Sequence, residues 1–380
     1  MNKYKFETIT VHGNKGYDEK TGAVSTPIYQ SATFRHLGLN QSTGYDYSRL
    51  QNPTREELEK TIALLDNGKE ALAFSSGMAA VSTIIKLFKS GDHIIVCDDL
   101  YGGTYRIFEE IYSHFGITTT YVDLTEKNAL KKYLKKETVA IWVESPTNPM
   151  MKVVDIEFIS SFAKENNILS IVDNTFLTSY CIRPLDYEID VVVYSGTKYL
   201  AGHNDTLAGF VVTKTDSIIE KLRLIQKSEG AVLAPFDSWL VLRGLKTLHL
   251  RMDRQCENAI KLAEFLSKHK NVTKVYFPGL PEHKEHEIIK KQSKAFGAMI
   301  SFEVNSIELV EKVLREVKLI MFAESLGGVE TLITYPFVQT HSAIPEELRN
   351  KLGVNEKLLR LSVGIENVND LLEDLENALR

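Results

Sequence analysis

Lys198 stands in the stretch SGTKYLAGHND, directly after an apolar run, with Ser195 and Thr197 beside it. Left in water, such a lysine is an ordinary charged surface residue, which is the usual state of this side chain. Buried among apolar or cationic groups, its pKa falls and the free amine becomes a nucleophile toward carbonyls, which is Schiff-base chemistry. The flanking hydroxyls can bind anionic oxygens. A second candidate, Asp173 in IVDNTF, ends another apolar run. A carboxylate there costs several kcal/mol if left unpaired, so it requires a cation or several donors. In SSGMAAV, Gly77 and small residues open a helix whose free backbone N–H groups face any anion. In ESPTNP, two prolines force a rigid exit from a strand and can turn Asn148 inward.

Together these groups form one set of equipment. A helix N-terminus and two hydroxyls suit a phosphate, a lysine can form an imine, and an aspartate can pair with a ring nitrogen. Pyridoxal 5′-phosphate (PLP) needs all three. Other signatures are missing: there is no G-x-G-x-x-G and no G-x-x-x-x-G-K-[ST]. Ser195 to Lys198 satisfies S-x-x-K, but the companion S-D-N motif of serine β-lactamases is lacking, the one K-T-G (Lys20, Thr21, Gly22) precedes the S-x-x-K in the chain, and no G-x-S-x-G elbow exists. EHKEHE brings His283 and His286 close together without H-E-x-x-H, so it is read as a solvated loop and no metal is expected.

The elements that must position these groups follow from periodicity. Short apolar runs at 71–74, 93–97, 119–122, 139–143, 169–172 and 191–194 alternate with helix-length patterns, which predicts a largely parallel sheet covered on both faces. The run at 207–213 follows Lys198 too soon for a helical crossover and is expected to pair antiparallel. Past Gly244 the texture changes to a long amphipathic stretch and then VTKVYFPGLP, GAMISFEV, VKLIMFAES and LLRLSVGIE, a smaller α+β unit. The expected divisions are an arm at 1–58, a large α/β domain at 59–245 and a C-terminal domain at 246–380. The arm carries STPIYQSATF and GYDYSRLQNPT, shows little helix or strand periodicity, and is expected to wrap another surface, such as a second subunit.

Bulk properties narrow the class. The 380 residues are 43% hydrophobic, and 45 basic against 50 acidic side chains leave a formal charge of −5 with no long single-sign block. Nucleic acid and anionic membranes are therefore poor partners, and small molecules good ones. Cys97, Cys181 and Cys256 are widely spaced and suggest neither a disulfide framework nor a zinc ribbon. With no signal-peptide or membrane-spanning pattern, the chain is expected to be cytoplasmic.

The motifs SSGMAA, YGGTYR, ESPTNP, IVDNTF, SGTKYLAGHND, FAESLGGVE and RLSVGIE, with YDYSRLQNPTR near the start, resemble in order and spacing the Cys/Met-metabolism family of fold-type I PLP enzymes. The likeness runs essentially from Thr8 to the C-terminus. It implies a large domain with a mainly parallel seven-stranded sheet and a smaller α+β domain. It also implies that PLP is held as a Schiff base on Lys198, with Asp173 on the pyridine nitrogen and Thr175 as an accessory contact. Gly77 and Met78 would offer backbone N–H groups to the phosphate, Ser195 and Thr197 their hydroxyls, and Tyr101 a stacking ring. Tyr47 and Arg49 would cross from a neighbouring subunit, in a homotetramer built from two dimers with shared active sites. Arg360 would clamp the substrate α-carboxylate, supported by Ser325 and Asn148.

Within that family the resemblance leans toward an enzyme joining an O-acylhomoserine and cysteine into cystathionine, some members of which accept sulfide. Lys198 would shuttle the protons, with Tyr101 as a further acid or base. Gly103 stands where methionine γ-lyases carry cysteine. Arg106 follows the pattern of γ-synthases and γ-lyases, Asp46 in DYSR that of many γ-synthases, and Glu324 could take part in substrate recognition. A cystathionine γ- or β-lyase is the alternative. A non-catalytic regulator on the same fold is more remote, since Lys198, Asp173 and Arg360 are all present.

Overall fold

The computed structural model describes residues 4–339 and 346–380. The six early apolar runs form strands β1 (Glu70–Phe74), β2 (His93–Cys97), β3 (Thr118–Val122), β4 (Thr138–Glu144), β5 (Leu169–Asp173) and β6 (Val191–Ser195), and a seventh, β7, spans Gly209–Thr213. They make one sheet in the order β1-β7-β6-β5-β4-β2-β3. β2 to β6 pair in parallel. β7 runs antiparallel to both β6 and β1, as the short connection after Lys198 requires. Every residue of β2 and of β7 is buried, which is why their sequences are near-continuous apolar runs.

Helices cover the sheet, and their starts are written locally. Ser76 caps the helix Gly77–Ile85 by accepting from Ala79 N–H, and Asp155 caps Ile156–Glu165 by accepting from Phe158 N–H. Trp142 of β4 is fully buried and meets Phe108 edge-on at 5.7 Å between ring centroids.

A second sheet holds β8 (Val272–Tyr276), β9 (Met299–Val304), β10 (Met321–Phe322), β11 (Leu332–Thr334) and β12 (Leu358–Ser362) in the order β10-β11-β12-β9-β8, antiparallel except for β10 with β11. Within VKLIMFAES the strand is only two exposed edge residues, Met321 and Phe322. β11 was not singled out by the apolar runs, yet it is wholly buried beside β12. The stretch FAESLGGVETLITYPFVQTHSAIPEE, which also resembles enzymes making cystathionine from an O-acylhomoserine and cysteine, includes residues 340–345, which lie outside the described residues.

Two expectations need correction. The arm does contain a helix, Phe6–His12, whose Phe6 ring packs 5.3 Å from Tyr180 and lies under the Arg183 guanidinium at 5.4 Å. From there to Asn52 the described chain has only isolated bridges, with Leu39 and Val24 left 92% and 77% exposed. Nor is EHKEHE a fully solvated loop. Glu285 is buried, His283 lies 3.4 Å from it, and burial pushes the His283 imidazole down to about 4. Among the described residues no cluster of three metal-ligating side chains occurs.

Candidate active site

The carboxyl ends of the parallel strands and one face of the second sheet enclose a cavity of about 230 Å³. That is where an open α/β sheet collects ligands. From β1 the chain passes through Ser76 to Gly77. A Cβ at Gly77 would lie 3.0 Å from Ser195 Cβ and 3.1 Å from its Oγ, so glycine lets the helix start approach the end of β6.

Asp173 is the last residue of β5. Its Oδ1 accepts from Thr175 N–H at 3.0 Å and Thr175 Oγ1 at 2.6 Å, and that hydroxyl also accepts from Ser195 N–H at 2.9 Å. Thr175 therefore staples the ends of β5 and β6 together. Oδ2 of Asp173 has no hydrogen-bond partner among the described residues. Burial raises this carboxyl to about 6 against the pull of Thr175. Thr197 Oγ1 accepts from Ala208 N–H at 3.0 Å, which folds the segment after β6 back toward β7.

Lys198 Nζ donates to Ser325 Oγ at 2.8 Å. Burial, and then the nearby Arg360 cation, lower its pKa to about 8, with Glu324 opposing them. Arg360 projects from the middle of β12 and is only 2% exposed. It donates from one terminal nitrogen to Asn148 Oδ1 at 2.8 Å and from the other to the Ser325 carbonyl at 3.3 Å, while its Nε has no partner among the described residues. Burial lowers its pKa to about 10, so it stays cationic at neutral pH. Ser325 has φ +96°, a region strained for any residue with a side chain.

Lys198, Asp173, Thr175, Ser195, Thr197, Gly77, Met78, Tyr101, Asn148, Ser325, Glu324 and Arg360 all line this one cavity. Asp46, Tyr47, Arg49 and Arg106 do not. Asp46 is held by Ser42 at 2.6 Å and His36 at 3.0 Å within its own segment. Arg49 donates to the Lys227 carbonyl and lies 5.6 Å over the Tyr47 ring. Arg106 is exposed on the helix Gly102–Arg106.

Glu144 was missed by the sequence reading. It ends β4 inside the cavity wall and is 6% exposed. Burial and the neighbouring Asp173 push its carboxyl well up. The argument that found Asp173, a carboxylate ending an apolar run, applies equally to Glu144. Asp99, also missed, is fully buried. It accepts from Thr147 Oγ1 and from Met150 N–H and so fastens the loop that carries Asn148.

The residues present fit PLP. Asp173 has one oxygen unpaired and a pKa raised by burial, and a protonated ring nitrogen would supply the cation that favours its ionised form. The chain belongs to the Cys/Met metabolism PLP-dependent enzymes, whose family profile matches residues 7–380. PLP is thus its cofactor, and the fold is that of fold-type I PLP enzymes.

Among its relatives, the cystathionine beta-lyase of Lactococcus lactis subsp. cremoris (strain MG1363) is 49% identical over 373 residues, covering 98% of each chain. The cystathionine gamma-synthase/O-acetylhomoserine (thiol)-lyase of Bacillus subtilis (strain 168) is 50% identical over 367 residues, 97% of this chain and 94% of the relative. The solved structure of cystathionine gamma-lyase from Lactobacillus plantarum complexed with L-serine superposes with a TM-score of 0.97 at 45% identity, covering 99% of this chain and 98% of that one. The protein is a PLP-dependent trans-sulfuration enzyme. Among the described residues no helix is long and apolar enough to cross a membrane.

Proposed function

We propose that this enzyme cleaves a carbon–sulfur bond of cystathionine. The observation that carries the reading is the low-pKa Lys198 amine held 2.8 Å from Ser325 beside the buried Arg360. Lyase over the synthase expected from the resemblance around Asp46, Gly103, Arg106 and Glu324 is supported by the predominance of lyase names among relatives similar along nearly the whole chain.

PLP, when bound, supplies the electron sink that makes Cα of an amino acid acidic. Lys198 would hold it covalently, Asp173 would keep its ring nitrogen protonated, and the N–H groups of Gly77 and Met78 with the hydroxyls of Ser195 and Thr197 would hold its phosphate. Arg360 would clamp the substrate α-carboxylate, with Asn148 and Ser325 aligning the guanidinium. The freed Lys198 amine, about half of it neutral near pH 8, would take the Cα proton, and Lys198 or Tyr101 would return a proton to the leaving sulfur. Tyr47 and Arg49 would reach the phosphate only from a second copy of the chain, which calls for a dimer, or a tetramer of two dimers, with shared sites.

Incubation with cystathionine alone, and separately with O-acetylhomoserine plus cysteine, tests this. Homocysteine with pyruvate, or cysteine with 2-oxobutanoate, from the first mixture supports the lyase and names the bond cut. Cystathionine left intact in the first and formed in the second overturns it in favour of γ-replacement. Borohydride reduction of the holoenzyme should fix the cofactor on Lys198, and labelling of another lysine would refute the site.

A further inference from the structure

None of the roles above uses Glu144, although it lies in the cavity wall. Its Oε2 accepts the Tyr101 backbone N–H at 2.9 Å, and Oε1 has no hydrogen-bond partner among the described residues. In the sheet register it stands opposite Asp173, so two carboxyls project from one face at adjacent strand ends. A buried carboxyl with one neutral donor is a costly way to end a strand. What that single bond accomplishes is therefore the question.

The answer lies in how little else restrains Tyr101. The residue is 41% exposed, and its hydroxyl makes no hydrogen bond among the described residues. The next two residues are glycines, and a Cβ at Gly103 would lie 2.4 Å from Tyr101 Cε1 and 3.1 Å from Met78 Sδ. Gly103 thus opens the space into which the ring leans but does not hold it there. The Tyr101 carbonyl is engaged by Thr104 and Tyr105 N–H as the helix begins. On the other side of the residue the one fastening among the described residues is the N–H to Glu144. The direction of the ring follows from where the backbone is pinned.

We infer that Glu144 is a positioning residue that fixes the Tyr101 ring over the cofactor by holding the Tyr101 backbone N–H from the cavity wall. The inference rests on the proposed stacking role of Tyr101. It predicts that the reach of the side-chain oxygen at position 144 matters and that its charge does not.

Holoenzymes of wild type, Glu144→Ala, Glu144→Gln and Glu144→Asp, each reconstituted with PLP, test it. Three readouts are taken: hydrogen exchange at the Tyr101 amide, visible circular dichroism of the bound cofactor, and kcat and KM separately. Glu144→Ala should speed Tyr101 exchange by about tenfold, weaken the visible dichroism and lower kcat by about tenfold, with a smaller change in KM. Glu144→Gln keeps an oxygen acceptor at the same reach and should match wild type in all three. Should the alanine variant fail to fold, Glu144→Asp decides: it keeps the charge, draws the acceptor back by one methylene, and should lose both protection and dichroism.

Wild-type dichroism in the alanine or aspartate variant overturns the inference. So does a glutamine variant with altered dichroism whose Tyr101 amide remains protected, because charge and not position would then be acting. A wild-type protein without a visible cofactor band, or with cofactor reduced onto another lysine, would instead defeat the reading of the site itself.

Discussion

The cavity has two sides built in different ways. On the large-sheet side, groups follow their own strands, and Asp173 is held by near neighbours: Thr175 bonds Asp173 two residues away and the N–H of Ser195 on the adjacent strand. On the second-sheet side the bonds join distant parts of the chain, Lys198 to Ser325 and Arg360 to Asn148. Their electrostatics differ as well. The acids Asp173 and Glu144 are pushed up, and the bases Lys198 and Arg360 are pushed down. Each side lacks the charge that a bound ligand would bring: a ring cation for the acids, a carboxylate for the bases. A site of this kind is completed by a zwitterionic substrate on a cofactor with a basic ring.

Removing the group that spans both sides should have the largest effect. Lys198→Ala is expected to lower cystathionine cleavage by about 10³-fold or more, measured as thiol release, because covalent hold and proton transfer are lost together. Next come the two charges, one from each side. Asp173→Asn leaves the ring nitrogen without an anion and should lower kcat by about 100-fold. Arg360→Lys, which keeps the charge but loses the planar fork, should cost about 10–100-fold in kcat/KM, mainly through KM. A kcat effect for Arg360 and a KM effect for Asp173 would reverse the assignment of the two sides.

The two sides also differ in how far the sequence reveals them. Lys198, Asp173 and Gly77 could be found because each directly follows an apolar run, and the fold brings strand ends together whatever else it does. The antiparallel β7 was legible from connection length alone. Arg360 had to be reached through family resemblance, since an arginine within LLRLSVG has no periodic signal to say that it faces another sheet. Asp99 has a partner, Met150, 51 residues away that no local pattern announces, whereas Glu144, ending an apolar run as Asp173 does, was legible and only its bond to Tyr101, 43 residues away, was not. Asp46, Tyr47, Arg49 and Arg106 do not line this cavity within one chain, so the part proposed for them would need contacts between copies.

A pH measurement sharpens the contrast at smaller amplitude. In the cofactor-free protein, Lys198 should react with an amine reagent with a midpoint near pH 8, against 10.5 for an ordinary lysine. The sign is fixed by its causes: burial and Arg360 both disfavour the charged amine, so reactivity rises as pH climbs through about 8. Arg360→Met, which removes the neighbouring cation, should move the midpoint upward. An unchanged midpoint would mean that burial alone sets the value.

The smallest effects belong to Ser325, where the two sides touch. Its φ of +96° costs roughly 1–3 kcal/mol for a residue with a Cβ. Glycine accepts that backbone freely but gives up about 0.4–1 kcal/mol through the entropy of the unfolded chain. Ser325→Gly should therefore stabilise the protein by about 1 kcal/mol, read as a rise in the midpoint of denaturant unfolding. The same change deletes the hydroxyl that accepts from Lys198 Nζ and leaves the amine less well aimed, which should lower kcat by about fivefold. Ser325→Ala keeps the strained backbone and loses the same hydroxyl, so it should show the loss of rate without the gain in stability. If both variants lose rate and neither gains stability, the unusual backbone at Ser325 is not strained, and its conformation cannot be a cost carried for the sake of the Lys198 contact.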